Sequence, residues 1–181
     1  MPVPMLMNLA VMTVLSAASP HDALVSLLSR IEQMPSAKEL QKLTPTPESL
    51  LVEVASDAGE HVYVRERAVS LMGEYPSAAS DLIKLTRDRV PSVRQSAAYV
   101  LGRHFGATQP DLVLGALRPL LKDARVSVRK QVVRALSHVH SKAVVAVLQQ
   151  RLAHEADPGV REFIYSRALQ LEASQKSVAA R

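Results

Sequence analysis

Asp88-Arg89-Val90-Pro91-Ser92-Val93-Arg94-Gln95-Ser96-Ala97-Ala98-Tyr99-Val100-Leu101-Gly102 is the stretch that decides the fold. Val93, Ala97 and Leu101 recur at i, i+4 and i+8, which places them on one stripe of an α-helix. The stretch therefore predicts a helix opened by a Val-Arg dipeptide and buried along one face.

Three further segments align on the same dipeptide: Tyr63-Val64-Arg65 to Gly73, Ser127-Val128-Arg129 to Ser137, and Gly159-Val160-Arg161 to Leu169. Their arginines, with Arg94, stand 29, 35 and 32 residues apart, the length of one helical hairpin. Ala68, Ala97, Val132 and Ile164 stand three residues after each Arg, and Met72, Leu101, Leu136 and Ala168 seven after. Each copy thus repeats the buried stripe.

A first helix precedes each of these. Thr46-Pro47-Glu48 sets a capping hydroxyl before a first-turn proline and predicts a helix through Val54 that ends near Gly59. Tyr75-Pro76-Ser77 opens the next, through Leu82, Ile83 and Leu85, and Gln109-Pro110-Asp111 a third, through Leu112, Leu114, Leu117 and Leu121. The fourth begins near Ser141 and runs through Val144, Val147, Leu148 and Leu152. Short loops make such helices antiparallel neighbours. The fold class expected is an all-α solenoid of about four hairpins.

The remaining segments flank this array. Residues 1–18 form an apolar N-terminal segment, residues 19–43 an N-terminal helical cap, residues 46–172 the four repeats and residues 173–181 a frayed tail. In the cap, Ser19-Pro20 with Asp22 starts a helix whose stripe is Leu24, Leu27, Leu28 and Ile31; Pro35 interrupts it, and Lys38 to Leu43 make a short further turn. Leu43 to Pro47 is the one hinge or linker candidate. The apolar run Met5 to Leu15 leads into Ser16-Ala17-Ala18-Ser19, suited to cleavage after Ala18, yet no Lys or Arg precedes it. Two readings stay open: a signal peptide, with a periplasmic or secreted protein, or a capping helix, with a cytoplasmic one. At about eleven residues the run is too short for a transmembrane span, which needs about twenty.

The stretch from Asp88 to Gly102 resembles the second helix of a HEAT repeat, in which an Asp and a Pro-x-Val-Arg lead into Ala and then Leu-Gly. Asp123 to Ser137 and Asp157 to Leu169 resemble it less completely, and His61 to Gly73 lacks the Asp; the resemblance spans roughly 47–172. It implies the solenoid fold. Six positions before the four arginines stand Gly59, Asp88, Asp123 and Glu155. The resemblance implies that Asp88, Arg94, Asp123, Arg129, Glu155 and Arg161 form a structural ladder between repeats, with a smaller part for Arg65, whose copy has Gly59.

Composition narrows the function. The chain of 181 residues is 48% hydrophobic with 3% aromatics and no cysteine, so disulfides and thiol catalysis are excluded. Its net charge of +5 divides into −3 over residues 1–58 and +8 over residues 59–181, so the basic balance belongs to the repeats. Between Lys84 and Arg134 there are eleven Lys/Arg against three acids. Lys130, Arg134 and His138 follow at i, i+4 and i+8 on a stripe apart from the apolar one, and Arg103 and His104 end the equivalent helix before. Second helices line the concave side of a HEAT-like stack, so these five residues are the candidate partner-binding stripe. The plain alternative is a solvated basic face.

No His-Glu dipeptide, His-x-x-x-His pair, phosphate loop or nucleophile elbow occurs, so no catalytic residue, metal site or cofactor is assigned. The expected function is a non-catalytic protein-interaction scaffold that binds an acidic protein partner, as a monomer or transient complex subunit. A nucleic-acid phosphate backbone is the alternative partner. A bilin-lyase-like enzyme, implied by the same repeat type, comes last.

Overall fold

A computed structural model describes residues 18–179. Its elements are α-helical, with short 3-10 and π segments, and no strand occurs among the described residues. The expected signal peptide or capping helix, residues 1–18, lies outside the described residues except for Ala18.

Two short helices come first. In α1 (Pro20–Leu28) the Ser19 hydroxyl accepts from the Asp22 N–H while the Asp22 carboxylate takes the Ser19 N–H, a closed capping box. α2 (Ala37–Leu43) repeats that device with Ser36 and Glu39. Leu24, Leu28 and Leu40 are buried, but Ile31 is 85% exposed, because α1 stops at Leu28, one turn short of the sequence expectation.

Four hairpins follow. The first is α3 (Pro47–Ser56) with α4 (Val62–Met72); the second pairs a 3-10 turn and α5 (Ala79–Leu85) with α6 (Pro91–Val100). The third pairs α7 (Pro110–Leu117) with α8 (Val126–Leu136), and the fourth α9 (Ala143–Leu152) with α10 (Pro158–Ala179). All four stripes read from the sequence are buried: Val64, Ala68 and Met72; Val93, Ala97 and Leu101; Val128, Val132 and Leu136; Val160, Ile164 and Ala168. The second helices α4, α6, α8 and α10 pack directly on one another in series, whereas successive first helices meet far less. That asymmetry makes the second helices the inner layer of the curve.

Local departures have physical causes. The Thr46 hydroxyl makes no cap bond to α3; it lies 3.4 Å from the Thr44 hydroxyl, which accepts the Thr46 N–H. Leu117 and Leu121 are buried as expected, but Leu112 is exposed and Val113, at i−4 from Leu117, takes its place in the stripe. Pro119 has no N–H to continue an i to i−4 ladder, and residues 118–122 tighten into a 3-10 turn. α10 carries no Gly or Pro beyond Gly159 and continues to Ala179 where a frayed tail was expected.

Beyond Val100 the chain widens into a π turn, Leu101–Phe105, that carries Gly102 against the next inner helix. A Cβ on Gly102 would fall 2.7 Å from the Ala135 Cα and closer still to its carbonyl oxygen, so only glycine permits this approach.

Candidate functional site

The arginines of the Val-Arg dipeptides form a ladder whose rungs are offset by one repeat. Arg94 Nε and Nη2 donate to the two Asp123 carboxylate oxygens at 2.8 and 3.0 Å, and Arg129 donates in the same forked manner to Glu155 at 2.9 and 2.8 Å. Arg65, buried, pairs with Asp88 and also donates to the Ala55 carbonyl at 2.9 Å. Each acid therefore serves the arginine of the preceding repeat. The arginine six residues later in its own repeat takes its backbone carbonyl instead: Arg94 on Asp88 O, Arg129 on Asp123 O and Arg161 on Glu155 O.

The carboxylates also hold the turn into the second helix. Asp88, Asp123 and Glu155 accept the N–H groups of Val90, Arg125 and Asp157 at 2.8, 2.9 and 3.0 Å. For Glu155, burial raises the pKa, but the bonds from Arg129, Asp157 N–H and Arg151 outweigh it and bring it to about 2. Asp123 is lowered by the same contest, burial against Arg94 and the Arg125 N–H.

The offset changes the standing of two arginines. Arg65 is a full member of the ladder although its own copy has Gly59, because its acid lies in the next repeat. Arg161 is exposed and has no carboxylate partner among the described residues; it donates to the Glu155 carbonyl.

On the inner face the structure groups four of the five expected stripe residues. The Arg134 guanidinium lies 5.4 Å from the Phe163 ring centre and that of Arg167 lies 5.3 Å from it, so two cations stand over one ring. The His138 ring meets Tyr99 edge-on, with centres 6.3 Å apart. Burial first, then the nearby charges of Arg103, Arg167 and His140, lowers the His138 pKa and favours the neutral ring. The Lys130 ammonium lies over Gly159. Among the described residues Arg103, Lys130, Arg134 and Arg167 form no ion pair.

His104 stands apart from this group. Its ring packs on Gly73, and its Nδ1 is 3.9 Å from a Glu74 oxygen, so it seals the contact between the first two repeats. Adjacent residues of a helix point about 100° apart, which accounts for the split. Phe163 and Arg167 were missed in the sequence, although they stand two and six residues after the fourth Val-Arg arginine. Toward α4 the inner face becomes neutral and acidic: Glu66, Ser70, Gln95, Tyr99 and Gln131 line a shallow groove of about 250 Å³.

Elsewhere, ligand atoms of His21, Asp57 and Glu60 lie within 4.8 Å of one another, on exposed or half-exposed side chains. No described helix is long and apolar enough to cross a membrane.

A curved stack of antiparallel helical hairpins, clamped by an Arg-acid ladder, defines an α-solenoid. Residues 82–166, from within α5 to the middle of α10, match the family model for HEAT repeats. Two solved structures share the fold. One is the complex of CpcE and CpcF of phycocyanin lyase from Nostoc sp., at 20% identity and a TM-score of 0.56, covering 81% of this chain and 98% of that one. The other is a designed armadillo repeat protein in complex with the peptide (KR)4, at 21% identity and a TM-score of 0.53, covering 81% of this chain and 79% of that one. No curated protein matches the chain.

Proposed function

We propose that this chain is a non-catalytic interaction module that docks an acidic protein segment on the inner face of its third and fourth repeats. The observation that carries this reading is the Phe163 ring with the Arg134 and Arg167 guanidiniums over it, neither of them in an ion pair among the described residues. An unpaired guanidinium offers a planar fork to carboxylates, and the ring supplies an apolar anchor. The designed armadillo neighbour is recorded with a Lys/Arg peptide. In this chain the cations sit on the solenoid, so the complementary segment is acidic.

Lys130→Glu with Arg134→Glu tests the reading with a fluorescent Asp/Glu-rich peptide and a random DNA duplex as probes. Peptide binding is expected to be abolished while stability falls by no more than about 1 kcal/mol, since Arg134 is exposed and Lys130 half-buried. Unchanged peptide binding refutes the reading, as does a matching loss of folding. Preference for the duplex, with affinity falling steeply as salt rises, would replace the acidic protein by a phosphate backbone.

A further inference from the structure

We infer that the open face of α10 is a homodimer interface, in which two copies pair their α10 helices antiparallel about a two-fold axis. The inference begins with the positions four and eight residues after each ladder arginine. In the first three repeats these are Val69 and Gly73, Ala98 and Gly102, Val133 and Ser137. Val69, Ala98 and Val133 are fully buried, Gly73 lies under His104 of the next repeat, and Gly102 lies under Ala135 of the one after. This stripe, with its arginine, is the surface by which each repeat receives its successor.

In the fourth repeat the same stripe is Arg161, Tyr165 and Leu169. Tyr165 is 56% exposed and Leu169 48% exposed, and Arg161 lacks the carboxylate that its three counterparts have. A helix face that meets only water is expected to be polar. Here the small internal residues give way to a tyrosine and a leucine, which suit contact with another surface.

The stripe is complementary to itself. Glu172 continues it at i+11 from Arg161 and uses only Oε1 in its bond from Gln149 Nε2 at 2.6 Å. An antiparallel pairing centred at the level of Arg167 sets Arg161 against Glu172 of the second copy and Tyr165 against its Leu169. Two-fold symmetry makes each contact twice and closes the assembly at two chains.

Sedimentation equilibrium of the 181-residue chain, at up to about 100 µM, reads this directly. The wild type is expected to show a monomer–dimer equilibrium. Arg161→Glu should weaken it by about tenfold or more, and Arg161→Glu with Glu172→Arg should restore it. Tyr165→Ser with Leu169→Ser should give a monomer with unchanged helical circular dichroism, since both side chains are exposed. A wild type that stays monomeric, a dimer indifferent to Arg161→Glu, or a charge swap that fails to restore association overturns the inference. Open-ended polymers would overturn the two-fold.

Discussion

Glu155→Gln isolates the charge of the most buried carboxylate in the ladder, because the amide keeps the shape and one acceptor oxygen. Glu155 receives two bonds from Arg129 at 2.8 and 2.9 Å, one from Arg151 at 2.6 Å and one from the Asp157 N–H at 3.0 Å. Its pKa falls from 4.5 to about 2. At 1.36 kcal/mol per unit that fall corresponds to about 3 kcal/mol of folding stability. Breaking one partner out of a buried ion pair costs about 3 to 5 kcal/mol, so the two routes agree. A loss of about 3 kcal/mol should lower the melting temperature by about 6 to 12 °C in a chain of this size. The sign follows from linkage. The folded pKa lies below the unfolded one, so the contribution is complete above the unfolded pKa near 4.5 and fades as pH falls toward about 2. Thermal melts followed by far-ultraviolet circular dichroism, from neutral pH downward, should show the gap between wild type and variant closing across that window. No gap at neutral pH, or a gap undiminished at about pH 2, refutes the reasoning.

Two glycines should respond with opposite signs. Gly102→Ala drives a methyl into the Ala135 backbone and should cost about 3 kcal/mol or prevent folding, read by chemical denaturation. Gly115→Ala, in α7 with no atom within 4 Å of its Cβ, should stabilise by about 0.5 to 1 kcal/mol in the same assay.

The inner helices were legible because their burial is periodic: Val, then Ala or a β-branched residue, then Leu, Met or Ala at i, i+4 and i+8 is a helical signal that needs no tertiary context. The first helices were less so. Leu112 and Val113 are adjacent and both apolar, and only the seat of α7 on its neighbours decides which is buried. Ile31 misled because it continues a stripe beyond the point where α1 ends. The acids of the ladder were visible six residues before their arginines, but that spacing describes the carbonyl contact within a repeat. The ion pair spans 23 to 29 residues, through the next hairpin, and no local pattern reveals such an offset. His104 was grouped with Arg103 by adjacency, although successive residues of a helix point to different sides.

An offset ladder makes the two ends of the stack unequal, and that inequality locates function. At the first repeat the acid position is Gly59, and no earlier ladder arginine requires a partner; α1 and α2 cover that end, with Arg67 donating to the Gln33 carbonyl. At the last repeat Arg161 is left over. Residues inside the stack are constrained to be small and alike because each must receive a neighbour, as Ala98 and Gly102 do. On α10 that small-residue pattern is not kept, and the stripe is not uniformly polar. Phe163 appears on the inner face with two arginines over it, and Tyr165 and Leu169 on the open face. These large side chains break the repeat only in its final copy, on two different sides of one helix. Both sides of α10 therefore carry the large side chains that the proposed docking of an acidic segment and the proposed pairing with a second copy require.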